Sequence, residues 1–228
     1  IVFETSFNKY VTDEEIADGV ESDGSIQFAR KLNSDVRSKK ATERSAALCS
    51  EGSEAEFYNC KFLGSQDTLY TGVNTKQYFR NCFIEGNTDF IFGDGDVVFE
   101  NCEIRFAGYT DINVAGYLTA GRTTTEKGYL FYNCTVSADN AVFQNPGVFG
   151  RPWGPDARVA WINTILGTEN IIDPMGWTDM SGNLPKNAHF AEYNSLWNGK
   201  AVATNERRGG VLKTATGYEP KFYLGEWK

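Results

Sequence analysis

Two aspartates, Asp67 and Asp89, are the residues best placed to do chemistry together. They lie 22 residues apart, and each follows a cysteine by seven residues, Asp67 after Cys60 and Asp89 after Cys82. If that interval is one turn of a repeat, the two carboxylates stack at roughly one strand spacing, about 4.8 Å. Like charges that close push the pKa values of the pair apart, so one carboxyl keeps its proton. A protonated acid beside an ionised carboxylate supplies a general acid and a nucleophile or base. The pair then titrates jointly. Asp89 also precedes the apolar run Phe90-Ile91-Phe92. A carboxylate against an apolar wall needs a partner, and Arg151 suits that role. Turn and ladder aspartates show the same pattern with no chemistry, so the spacing alone leaves both readings open.

Composition removes several other chemistries. The chain holds one histidine, His189, and no Gly-x-Ser-x-Gly elbow, so a Ser-His-Asp triad has no serine to use. His189 is read as a surface or structural residue. The five cysteines form no Cys-x-x-Cys pair, which speaks against a zinc or redox site. A net charge of −8, a pI near 4.8 and the lack of a basic stripe argue against nucleic acid. No apolar run reaches the length of a membrane span. The opening residues Ile1-Val2-Phe3-Glu4 are not a signal peptide. The 228 residues amount to one domain with a sizeable core.

The elements that must position the aspartates are written in an internal repeat. Phe57-Tyr58-Asn59-Cys60, Phe79-Arg80-Asn81-Cys82, Phe99-Glu100-Asn101-Cys102 and Phe131-Tyr132-Asn133-Cys134 share the pattern Phe-x-Asn-Cys, at intervals of 22, 20 and 32 residues. Runs such as Val97-Val98-Phe99 and Tyr129-Leu130-Phe131 are strand-like and alternate with Gly, Asn and Asp clusters. Helical periodicity is scarce, with one short turn expected over Asp13 to Ala17. A unit of this length, built from short strands and turns, predicts one coil of a parallel β-helix. The cysteines then stack inward as small apolar side chains, and the asparagines form an amide ladder at a coil corner. The longest interval predicts an expanded coil near Ala107 to Thr125, a candidate cleft wall. The charged stretch from Asp18 to Lys40 reads as a solvated insertion. Coils are expected over 1–180. The irregular tail, 181–228, should pack on the stack or cap it.

Three segments concentrate polar residues beside apolar ones: Gln66-Asp67-Thr68-Leu69, Asp89-Phe90-Ile91-Phe92-Gly93 and Gly150-Arg151-Pro152-Trp153. In this order they resemble the signature blocks of the pectin methylesterases, and Gly176-Trp177 with Ser181-Gly182 fits that family's later pattern. The resemblance runs from about Arg44 to Tyr193. It implies a right-handed parallel β-helix and hydrolysis of methyl esters on homogalacturonan, with no metal or organic cofactor. Carried over residue by residue, Asp89 is the nucleophile, Asp67 the acid and then the base, Gln66 the oxyanion donor and Arg151 the residue that orients Asp89. Trp153 and Trp177 match positions that line the sugar cleft. Phe90 and Tyr70 are further candidates for contact, as is Tyr109, in the phase of Asp89 one coil on. A substrate of this kind implies a secreted protein.

Two departures qualify the resemblance. One coil upstream of Gln66 the family places a glutamine, and here the residue is Arg44. Arg44 could donate to the oxyanion, sit beside Asp67 and favour its ionised form, or point into solvent. The family's earlier coils and capping helix are also not found ahead of Ile1, and an uncapped end invites association, so the oligomeric state stays open. The competing readings are another β-helix carbohydrate enzyme (a polygalacturonase or pectate lyase), a weakly active or non-catalytic polysaccharide-binding protein, and a related esterase or thioesterase.

Overall fold

The computed structural model describes residues 1–5, 15–17, 29–31, 44–108, 116–138 and 146–225. Short parallel strands wind through three sheets, and the central coils contribute one strand to each sheet. The five-stranded sheet, hereafter the cleft sheet, contains Leu48–Ser50, Leu69–Thr71, Ile91–Gly93, Tyr117–Gly121 and Val148–Pro152, stacked in chain order. The seven-stranded sheet runs from Ala55–Tyr58 through Lys76–Arg80, Asp96–Glu100, Tyr129–Tyr132, Arg158–Ile162 and His189–Tyr193 to Gly210–Val211. The eight-stranded sheet begins at Val2–Glu4 and Lys61–Leu63 and ends in the antiparallel pair Leu196–Trp197 and Lys200–Ala201. This is the parallel β-helix that the repeat predicts. Among the described residues no helix is long and apolar enough to cross a membrane.

The Phe-x-Asn-Cys pattern has a separate physical cause at each position. The phenylalanines point inward and stack face to face. Ring centroids are 4.6 Å apart from Phe57 to Phe79, 5.0 Å to Phe99 and 4.5 Å to Phe131, and Trp161 continues the column at 3.9 Å. Cys60, Cys82, Cys102 and Cys134 are buried and unbridged, while Cys49 is exposed and lies outside this stack. Three of these thiols reach back one coil to a phenylalanine carbonyl, from Cys82 to Phe57 at 3.4 Å, Cys102 to Phe79 at 3.5 Å and Cys134 to Phe99 at 3.3 Å. Burial pushes the Cys102 thiol well above its ordinary range, which keeps it protonated as a donor. The asparagines turn the corner with a left-handed backbone: φ is 54° at Asn59, 53° at Asn81, Asn101 and Asn133, 56° at Asn163 and 55° at Asn194. Asparagine tolerates this region better than other side chains. Side-chain amides join the upper rungs, Asn163 donating to Asn133 at 3.1 Å and Asn194 to Asn163 at 3.0 Å.

The coils outrun the expected boundary at residue 180. His189–Tyr193 pairs in parallel with Arg158–Ile162, and Gly210–Val211 pairs with His189–Tyr193. The repeat persists there as Trp161-Ile162-Asn163-Thr164 and Glu192-Tyr193-Asn194-Ser195. Only the corner asparagine survives, because the backbone demands it and the core tolerates substitution around it. The rest of the tail braces the stack. Arg207 forms a buried ion pair with Glu192 at 2.6 Å, and the short helix Pro220–Tyr223 lies on the seven-stranded sheet, where Lys76 donates to the Leu224 carbonyl at 3.1 Å. The helical turn expected over Asp13 to Ala17 is not formed, since Glu15–Ala17 is a strand paired antiparallel with Ala29–Lys31. The remainder of the expected insertion, Asp18 to Lys40, lies outside the described residues. So does Tyr109, together with much of the expanded coil.

Candidate active site

The site forms where the chain enters the cleft sheet. Isolated parallel bridges join Arg44 to Gln66 and Gln66 to Thr88. This register sets Asp67 beside Asp89 on neighbouring coils, and the Asp67 amide donates to the Thr88 carbonyl at 3.1 Å. Both aspartates adopt left-handed backbone, with φ of 61° and 49°. That turn lets the next two residues, Thr68-Leu69 and Phe90-Ile91, both enter the core while the carboxylates stay at the rim.

The two carboxyl groups have unequal surroundings. Asp89 is 4% exposed and receives a bidentate contact from Arg151, Nε to Oδ1 at 2.8 Å and Nη2 to Oδ2 at 2.6 Å. Burial pushes the Asp89 carboxyl up, and the Arg151 guanidinium pulls it back. Asp67 has no such fork. Burial and then the neighbouring Asp89 raise it to about 6, against weaker opposition from Arg44, Gln66 and Arg151. Arg44 is 72% exposed, with its Nε 3.9 Å from Asp67 Oδ2. It therefore sits beside Asp67 and favours the ionised form. Gln66 is buried, and its Oε1 has no hydrogen-bond partner among the described residues. A buried polar atom in that state at a cleft is a place for a ligand or water to bind.

An aromatic strip continues from the carboxylates. Strand pairing puts Tyr70, Phe92, Ala120 and Arg151 in one outward row of the cleft sheet. Tyr70 and Phe92 rings are 5.2 Å apart, and Phe92 lies 6.2 Å from Trp153, which is 37% exposed. The Arg151 guanidinium rests 4.0 Å from the centre of the Tyr117 ring, a cation–π contact that fixes it over Asp89. Asn183 donates to the carbonyls of Pro152 at 3.2 Å and Trp153 at 3.0 Å, tying the tail to this edge. Among the described residues no three metal-ligating side chains gather.

The structure thus brings together Asp67, Asp89, Gln66, Arg151, Arg44, Tyr70 and Trp153. Two expected contacts are corrected. Trp177 is 0% exposed: its bridge to Gly150 places it on the inward row, stacked on Phe190 at 4.1 Å and covered by Gly209. Phe90 is also fully buried, packed edge-on to Phe106, and a Cβ on Gly86 would come within 2.3 Å of it. Neither ring can reach a polymer. Phe92 and Tyr117 were missed. Alternation along Ile91–Gly93 would have turned Phe92 outward, whereas Tyr117 follows the expanded coil, where spacing no longer gives register.

Comparison with known proteins agrees with this geometry. A family model described as Pectinesterase matches residues 16–217. "Probable pectinesterase A" of Aspergillus niger is 39% identical over 168 residues, covering 72% of this chain and 48% of that protein. "Pectinesterase 2" of Citrus sinensis is 36% identical over 193 residues, covering 81% of this chain and 37% of that protein. The chain spans about half the length, or less, of the curated relatives it matches. Among solved structures, the deglycosylated pectin methylesterase of Aspergillus niger superposes with a TM-score of 0.68 at 34% identity, over 81% of this chain and 58% of that one. Pectin methylesterase from carrot gives 0.70 at 28% identity, over 81% and 61%.

Proposed function

Since the chain belongs to the pectinesterase family, we propose that it removes methyl esters from galacturonate units of homogalacturonan, outside the cell where that polymer lies. The asymmetry of the carboxyl pair carries this reading: one aspartate is clamped by Arg151 and the other is lifted to about 6. The Asp89 carboxylate attacks the ester carbonyl carbon. The resulting oxyanion accepts a hydrogen bond from the Gln66 amide, a type of contact worth about 2.7–4 kcal/mol of barrier. As the bond to the methoxy oxygen breaks, the Asp67 proton passes to that oxygen and methanol departs. Asp67, now ionised, takes a proton from water. The hydroxide attacks the acyl carbon and Asp89 leaves as a carboxylate. Tyr70, Phe92 and Trp153 supply apolar faces for the sugar rings.

The deciding experiment is methanol release from highly methylated pectin across pH, with Asp89→Ala beside the parent. Loss of the nucleophile should lower the rate by about 10⁴-fold or more with the fold intact by circular dichroism. Release near the parent rate would remove Asp89 from the reaction. The closeness of Arg44 to Asp67 supports a second reading, a pectin-binding member with little turnover. Pectin binding with no methanol at any pH would establish it.

A further inference from the structure

Three cations outside the cleft have no part in the chemistry above. Arg158 and His189 are direct partners on neighbouring strands of the seven-stranded sheet, two residues before Ala160 and Ala191. Those alanines pack outward with Tyr223 of the tail, and side chains two apart on a strand share a face, so Arg158 and His189 point outward as well. Lys127 reaches the same place from the loop before Tyr129–Tyr132. Its Nζ is 5.8 Å from the centre of the Tyr223 ring, and its carbonyl accepts a hydrogen bond from the Tyr223 hydroxyl. With Glu126 and Tyr218 these side chains line a cavity of about 280 Å³ between the tail and the sheet.

A simple reading makes these three solvated cations that happen to be neighbours. Arg158 argues against it. Arg105, Arg151 and Arg207 are likewise withdrawn from solvent, and each is paired, with Glu85 at 3.6 Å, Asp89 at 2.6 Å and Glu192 at 2.6 Å. Arg158 is half-buried, yet its guanidinium has no ion pair or hydrogen bond among the described residues. The carboxylates around it are engaged elsewhere or open to water. Asp96 accepts from the Thr125 hydroxyl and from the Lys127 and Gly128 amides, Glu219 accepts from the Gly217 amide, and Glu126 is exposed. The fold also clears the space, since a Cβ on Gly128 would come within 2.7 Å of the Arg158 Cβ. Burial pushes the Tyr223 hydroxyl well up and the Arg158 charge opposes it, which sets the guanidinium near the back wall of the cavity.

We infer that Lys127, Arg158 and His189 form an exosite, on a different sheet from the carboxylate pair, that docks a uronate ring of a second polymer segment through its carboxylate. The inference rests on the esterase reading above, which makes such polymer the product. Three converging cations call for an anion, and a guanidinium fork matches a carboxylate through two charge-assisted bonds. A cavity of this size has room for a sugar ring beside its carboxylate, and Tyr218 gives that ring an aromatic wall, which a bare inorganic oxyanion would not use. The chain carries a net charge of −8, so long-range forces push a polyuronate away and a local cluster of cations decides where it can dock. The exosite holds the protein on polymer already cleared of esters and leaves Asp67 and Asp89 free for another segment.

His189 is the one histidine in the 228 residues, so a single imidazole resonance reports on this cavity. Titration with trigalacturonate at constant pH and ionic strength should move that resonance to saturation, and galactose should leave it in place. Arg158→Gln and Lys127→Gln should each weaken the Kd about tenfold, as expected for loss of a charged hydrogen-bonded contact, and Arg158→Lys should recover part of the loss. Lys127 is exposed, so its variant tests the site without disturbing the fold. A resonance that does not move, or one that galactose moves equally, overturns the inference. So does a Kd unchanged in either glutamine variant, which would mean that binding in the cleft is sensed at a distance. If the parent releases no methanol from pectin, the esterase reading has failed, while the exosite is still judged by the imidazole titration, which needs no turnover.

Discussion

The same backbone corner is used twice in this solenoid, once for asparagines and once for aspartates. At Asn133, Asn163 and Asn194 the left-handed residue carries an amide, and these amides join in a chain, Asn194 donating to Asn163 and Asn163 to Asn133, so each contact in the ladder pairs a donor with an acceptor. At Asp67 and Asp89 the backbone is alike, but two carboxylates meet and neither can donate unless one holds a proton. The asparagine corner is largely solvated, whereas Asp89 is buried and needs Arg151. One nitrogen atom per rung thus separates a stabilising ladder from a reactive one. The reactive ladder costs stability, and the cost is visible as raised carboxyl pKa values.

Turning one reactive rung into a ladder rung should give the largest effect. Asp67→Asn keeps shape and suits the left-handed backbone, yet it has no proton to give the leaving group. Methanol release should fall about 10²–10⁴-fold. Stability should move the other way. Asp67 is raised from 3.8 to about 6, so between those values the folded state holds more proton than the unfolded state. Stability therefore falls as pH rises through that window, and the full penalty applies above it. Removing the charge should stabilise the protein at pH 7 by about 1–2 kcal/mol after solvent screening. Urea melts at pH 7 and pH 3.5 check this, because the gain should vanish at the lower pH. A variant that is slow but no more stable would break the link between the raised carboxyl and the strain of the site.

A subtler change tests what surrounds that rung. The Arg44 guanidinium lowers the Asp67 carboxyl, and that carboxyl must be protonated to act first as an acid. Activity should therefore decline above about pH 6 in the parent. Arg44→Gln removes the opposing charge, so the alkaline limb of the pH–rate profile should move to higher pH. Profiles that overlay would mean that Arg44 is screened by water and leaves the pair alone.

The asymmetry between the corners also decides what was legible in the sequence. The aspartate pair was readable because Cys60 and Cys82 mark one full coil and the aspartates share their offset. The need for a cation was readable from a carboxylate placed before Phe90-Ile91-Phe92, and Arg151 as that cation from the family resemblance of Gly150-Arg151-Pro152-Trp153. The cleft aromatics were read less well. Trp177 and Phe90 are core residues because of register: Trp177 pairs with the inward Gly150, and Phe90 fills the space that Gly86 leaves open. For Trp177, spacing could not give that register across the expanded coil between Cys102 and Cys134, which also hid Tyr117. The last coils were missed because the repeat was followed by cysteine. Thr164 and Ser195 replace the thiol, while Asn163 and Asn194 keep the corner.

The smallest expected effect asks why asparagine is kept at that corner. Asn163 has φ of 56°, donates to Asn133 and accepts from Asn194. Asn163→Ala loses both side-chain bonds and also puts an ordinary side chain in the left-handed region. It should destabilise by about 2 kcal/mol, with each exposed amide bond near the low end of its usual range. Asn163→Gly loses the same bonds but relieves the backbone, and should cost only about 1 kcal/mol. Denaturant midpoints for the two variants separate the contributions. If glycine is neutral, the corner selects asparagine for its backbone alone and the amide ladder is incidental. If glycine costs as much as alanine, the ladder holds the coils together, and the carboxylate pair gives up that cohesion at its own two rungs.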